Sequence, residues 1–141
     1  MIQVPFSLAS PAALTLYQSI YILIDTDLMK NPPDPDSYLP LKPHWFHVLL
    51  SLADEDQHGY GIMQEVLDRT AGKVRLWPAT LYGTLRRLME EDLIEESGGD
   101  ERRRYYRLTK LGRRVLGAEC RRLEDLVSVI RSKRGVKPME A

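Results

Sequence analysis

Residues 78–108 read PATLYGTLRRLMEEDLIEESGGDERRRYYRL, and the order of signals in that run decides the fold. Pro78 suits a first helical turn, where its missing N–H is not needed. Leu81, Leu85 and Leu88 follow at helical spacing, which predicts an amphipathic helix from Pro78 to about Asp92. Leu93–Glu96 and Arg103–Leu108 then read as two strands around Ser97-Gly98-Gly99-Asp100, the composition of a hairpin turn.

Upstream, Pro43–Ala53 sets Phe46, Leu49, Leu50 and Ala53 at helical spacing, and Asp54-Glu55-Asp56 closes the run as a solvated turn. Tyr60–Thr70 repeats the pattern with Ile62, Met63, Val66 and Leu67, stopped by Gly72. Lys73–Leu76 alternates and reads as a short strand. Downstream, Thr109 is placed to cap a last helix running to about Arg134, with Gly135 and Pro138 beyond it. The expected class is therefore mainly α with a small β-hairpin. Residues 43–109 form a winged helix-turn-helix domain, residues 110–134 a long C-terminal dimerisation helix, and residues 135–141 a flexible tail.

The chemistry of the third helix and hairpin indicates what such a domain is for. With Leu81, Leu85 and Leu88 buried, Ala79, Thr80, Gly83, Arg86 and Arg87 lie on the opposite face. That face is small at its N-terminal end, where a base edge can approach, and cationic one to two turns on, where phosphates lie. Tyr82 falls on the rim, and the turn led by Pro78 offers unpaired N–H groups to a phosphate. Taken alone, Arg86 and Arg87 read better as the solvated side of an amphipathic helix than as DNA contacts. Arg102, Arg103 and Arg104, beside the hairpin tip, shift that balance. Three adjacent like charges repel, and a polyanion makes their placement useful.

The net charge of the 141 residues is zero, but it is unevenly spread. Residues 45–68 hold five acids and no Lys or Arg, whereas residues 69–114 hold twelve basic groups against seven acids, a local +5. DNA responds to the patch it meets rather than to the total.

The run 78–88 together with Glu91-Asp92-Leu93-Ile94-Glu95 resembles the signature of PadR-type transcriptional regulators. His58-Gly59-Tyr60-Gly61-Ile62 and Tyr105-Tyr106-Arg107-Leu108-Thr109 with Gly112 are similar to that family as well. The resemblance covers residues 43–115. It implies a dimeric bacterial repressor in which Tyr82 and the basic residues of the third helix contact operator DNA, with the wing reaching the adjacent minor groove or backbone. Asp92 departs from the pattern, since the family often has Gly there.

In the last helix Leu116, Cys120, Leu123, Val127 and Ile130 are spaced by fours and threes, widened by Leu126 and Val129. A helix of about 25 residues is roughly 38 Å long, more than a small domain covers, so the stripe is expected to meet a second copy of the chain. Two domains related by a two-fold axis would then read a pseudo-palindromic operator in double-stranded DNA. Cys120 is the only cysteine and reads as a small buried hydrophobe. Trp45, Phe46, Tyr60 and Trp77 could line a pocket for a small aromatic or hydrophobic effector that releases the repressor, although such residues more often pack in cores and interfaces.

Residues 30–42, rich in proline, read as an extended linker. Residues 1–29 have two readings. One is a helix begun by Ser10 and Pro11; the other is an upstream start, since Met29 heads a sequence like a natural beginning. Ala12–Ile24 is too short and too interrupted to span a bilayer, and the protein is expected to be cytoplasmic. His44 and His47 are three apart, but surface or capping roles suit them better than a metal. No cofactor motif or catalytic constellation appears, so an enzyme is not expected. The rival to a DNA-binding regulator is a winged helix used only to bind other proteins.

Overall fold

The computed structural model describes residues 10–28, 31–136 and 139. Two units divide the chain at Pro33 and Asp34. The first contains α1 (Pro11–Leu28). Ser10 caps it, its Oγ accepting from the Ala13 N–H at 3.2 Å, and Pro11 takes the first turn as expected. Met29 and Pro138, which carried the alternative start and the helix stop, lie outside the described residues.

The second unit runs α2 (Pro43–Ser51), β1 (Gln57–His58), α3 (Gly59–Arg69), α4 (Pro78–Glu90), β2 (Ile94–Gly99), β3 (Arg104–Leu108) and α5 (Lys110–Ser132). This is a winged-helix fold followed by a long helix. Its core gathers Val48, Leu49 and Leu52, then Ile62 and Val66, then Leu81, Leu85 and Leu88, with Val115 and Leu116 from α5. Each such side chain contributes about 1.5–3 kcal/mol through burial, so the leucine line of α4 is what fixes its outer face.

Helices α3 and α4 stop in the same way. In α4 the Leu93 N–H reaches back to the Leu88 carbonyl at 2.9 Å and the Asp92 N–H to Met89 at 3.0 Å. This closure requires a left-handed residue, and Asp92 supplies it at φ 58°. The acid therefore occupies the glycine position of the pattern without moving the end of the helix far. Leu93 then receives α5: Thr109 caps that helix through the Gly112 N–H, at 2.9 Å, and donates its own N–H to the Leu93 carbonyl at 3.1 Å. Gly112 lies so close to that carbonyl that a Cβ would overlap it.

Three local expectations change. Lys73–Leu76 is not a strand; the Val74 N–H is satisfied instead by the Thr70 hydroxyl at 3.0 Å. The third strand is β1, and the antiparallel sheet has the order β1-β3-β2. Residues 31–42 are not simply extended. Asp34 caps a 3₁₀ turn, Pro35–Tyr38, and Leu41 is buried in the core. A short Asp-Pro turn offers its own hydrogen bonds, and the apolar residues after it give the segment something to bury.

Candidate nucleic-acid interface

On α4 the leucine line is buried as the spacing predicts, but Thr80 and Gly83, expected on the outer face, are half-buried and Tyr82, expected on the rim, is exposed. Leu81, Thr84, Leu85 and Leu88 are buried. Pro78, Ala79, Tyr82, Arg86 and Arg87 are exposed, with Thr80 and Gly83 half-buried between them. No side chain caps the N-terminus of α4, so donors of its first turn are open to an anion. Arg87 pairs with Glu90 at 3.2 Å, while Arg86 pairs with no acid among the described residues.

Tyr82 does more than sit on a rim. A Cβ at Gly59 would lie 3.2 Å from its hydroxyl oxygen and 3.4 Å from its ring, so the phenol packs across the start of α3. Two separated motifs of the sequence, His58-Gly59-Tyr60 and Leu81-Tyr82, are thus one contact. His58 caps α3, its Nδ1 accepting from the Gly61 N–H at 3.0 Å. Neither relation was read from the sequence. The cap could have been sought at His58, but the Gly59–Tyr82 contact joins residues more than twenty positions apart and left no local signal.

The wing is longer than its turn composition suggests. Ser97, Gly98 and Gly99 belong to β2, with a register shift between Glu96 and Gly98, and the tip is Asp100–Arg103. Gly99, at φ 136°, lies against the Arg103 carbonyl where a Cβ would not fit. The Asp100 carboxylate accepts the N–H groups of Arg102 and Arg103 at 2.8 and 2.9 Å. Those two bonds hold its acid below the usual carboxylate range. The acid is spent on shaping the turn, and Arg102 and Arg103 extend from it exposed and unpaired with any acid among the described residues. Arg104 reaches Glu96 at 3.4 Å, and Arg107 pairs with Glu95 across the strands at 2.8 Å. The cations expected to act together are therefore of two kinds, with Arg86, Arg102 and Arg103 free and Arg87 and Arg104 in surface pairs worth little.

A cleft of about 380 Å³ separates wing from helices, lined by His58, Tyr60, Tyr82, Tyr106 and tip residues 100–104. Burial, with Glu96 nearby, pushes the Tyr106 phenol upward, so it stays protonated.

Family comparison agrees with this geometry. Residues 48–118, half of the chain, match the model of the transcriptional regulator PadR-like family. The chain belongs to the PadR-like family. It is a DNA-binding transcriptional regulator, not an enzyme. The transcriptional regulator Rv3488 of Mycobacterium tuberculosis is 40% identical over 83 residues, covering 57% of this chain and 75% of that protein. An uncharacterised protein of Lysinibacillus sphaericus is 32% identical over 87 residues, covering 59% and 80%. Among solved structures, a transcriptional regulator from Clostridium thermocellum superposes with a TM-score of 0.57 at 28% identity, covering 64% of this chain and 89% of that one. A PadR family regulator from Clostridium difficile has the same TM-score at 24% identity, covering 64% and 97%, and speaks for the fold.

The residues expected to form other sites are dispersed. Of the aromatic four, Tyr60 lines the cleft by the wing, Trp45 and Phe46 pack against the core from α2, and Trp77 is exposed with the Arg75 guanidinium 5.2 Å over its ring. On α5, Leu116 is buried in the chain's own core and Cys120 packs against it. Leu116 is therefore spent inside the protomer and is not available to a partner. Burial, with Glu124 and Glu119 nearby, pushes the Cys120 thiol up. Leu123 is half-buried, and Val127 and Ile130 are exposed, as are Leu126 and Val129. No cluster suited to a metal and no helix long and apolar enough to cross a membrane occurs among the described residues.

Proposed function

We propose that this PadR-like regulator is a homodimeric repressor that binds a pseudo-palindromic duplex site through two copies of α4 and the wing. The observation that carries this reading is the pairing of a small-residue surface on α4, where Ala79 is exposed and Thr80 and Gly83 are half-buried, with the uncompensated Arg86, Arg102 and Arg103. Small residues let the helix approach base edges, and the cations take the flanking phosphates. A module that binds only protein has no use for two free arginines on a wing tip.

Dimerisation rests on the second half of α5. Leu126, Val127, Val129 and Ile130, four of the five residues from 126 to 130, are 42–54% exposed. A second copy of the helix is the partner that buries such a stripe symmetrically. Half-sites would then fall about one helical turn, ~34–36 Å, apart. The reading assigns no effector site, because Tyr60 alone of the four aromatic residues lines the wing cleft.

Selection of bound sequences from a random duplex pool tests the proposal. A pair of inverted half-sites at that spacing is expected, with binding that falls steeply as salt rises. Recovery of no enriched sequence, or of a single asymmetric site, would overturn it.

A further inference from the structure

His58 and Tyr60 have no part in the reading above, yet both line the cleft under the wing tip. The His58 ring is held from three sides. Its Nδ1 accepts the Gly61 N–H, its face stacks on Tyr60 with centroids 6.5 Å apart, and it meets Tyr105 edge-on at 5.4 Å. With Nδ1 committed as an acceptor, the neutral ring carries its proton on Nε2. Among the described residues that N–H has no acceptor, and the hydroxyls of Tyr60 and Tyr82 make no hydrogen bond to a protein group, although Tyr82 lies near the Tyr106 phenol. Across the cleft, the Asp100 carboxylate is occupied by the turn, leaving Glu101 as the acid beside the unpaired Arg102 and Arg103.

Donors without acceptors around a concave surface, with two free guanidiniums at its edge, match a single oxyanion. We infer that this cleft seats one phosphate of the DNA backbone: His58 Nε2–H and the Tyr60 and Tyr82 hydroxyls donate, and Arg102 and Arg103 supply the charge. The inference rests on the DNA-binding reading and refines it. Tyr82 belongs both to the cleft and to the outer face of α4, so a strand leaving the groove under α4 enters the cleft next. A neutral ring of donors also fixes distance where arginines alone would tolerate several.

The test uses the full-length chain and the duplex recovered by selection. Asn at position 58 preserves the cap of α3 and removes the ring. His58→Asn and Tyr60→Phe are each expected to weaken binding about 3–10-fold on all duplexes, the worth of one hydrogen bond. Their salt slopes should stay close to wild type, because neither substitution removes an arginine or lysine contact to a phosphate. Arg102→Ala with Arg103→Ala should instead flatten the slope by about 1–2. A scan of single neutral methylphosphonate linkages should find one linkage whose substitution weakens wild type by more than it weakens His58→Asn, because the variant has already lost one of the contacts to that phosphate. Wild-type binding by His58→Asn and Tyr60→Phe, with the arginine variant weakened, would overturn the clamp and leave the DNA reading standing. A His58→Asn defect undiminished at every linkage would also overturn it, placing the effect in the folding of α3. No duplex binding by wild type would overturn both.

Discussion

The first half of α5 and its second half carry apolar side chains in the same heptad-like order, yet they meet different surroundings. From Leu111 to Cys120 the stripe faces the chain's own core, and Gly112, Val115, Leu116 and Glu119 are buried. From Leu126 to Ile130 the side chains are exposed. Periodicity specifies which face of a helix is apolar, not what covers it. The boundary is marked chemically. Glu119 is buried, and Arg122 closes on it with two hydrogen bonds, at 2.6 and 2.8 Å. The Arg122 bonds hold the Glu119 carboxyl below the usual range, with a smaller contribution from the nearby Leu41 N–H.

Substitutions along the helix can break that comparison, the largest effect coming first. Gly112→Ala should destabilise the fold by roughly 3–5 kcal/mol, since the added carbon overlaps the Leu93 carbonyl and backbone must move. Denaturant midpoints would measure it, and a loss below 1 kcal/mol would mean α5 docks less tightly than its geometry implies. Glu119→Gln should cost about 1–3 kcal/mol by removing the charged partner of Arg122.

The same carboxylate gives a pH dependence. Its folded-state pKa is depressed, so its stabilising contribution is present above the unfolded carboxylate range and is lost as pH falls through the folded value. Melting temperature followed from neutral pH into acid should fall less steeply for Glu119→Gln than for wild type; parallel curves would remove Glu119 from the account.

Gly117 is exposed in the same helix, with open space around it. Gly117→Ala should therefore raise stability by about 0.5–1 kcal/mol, opposite in sign to Gly112→Ala. Val127→Glu should change protomer stability by less than about 0.5 kcal/mol, as surface substitutions do. It should nevertheless halve the mass seen by sedimentation, and an unchanged mass would sink the proposed dimer.

Much of this was legible in the chain because it is local. Pro78 opened α4 where expected, Leu81, Leu85 and Leu88 lay inside, and Thr109 capped α5. What escaped depends on contacts between distant residues. Gln57 and His58 are a strand only because Tyr106 and Tyr105 pair with them, and two residues have no periodicity to read. Lys73–Leu76 alternates like a strand but has no partner. The prolines of residues 30–42 suggested extension, and Leu41 escaped notice because its burial depends on the core it joins. In the interface, charge and small size identified the outer face of α4, while the free and paired arginines could be separated only once Glu90 and Glu96 were placed in space.

The short pairing of β1 with β3 has a consequence for how a duplex is judged. Because β1 runs straight into α3, and Tyr82 of α4 packs on Gly59, the wing, α3 and α4 are fastened at adjoining points. An arm so fastened holds its distance from α4, so with α4 in the groove as proposed, the duplex has to match that distance. Sequences with a suitable groove width at positions the protein never touches would bind more tightly than those that must be bent or compressed to fit. Shape would then be selected alongside base identity.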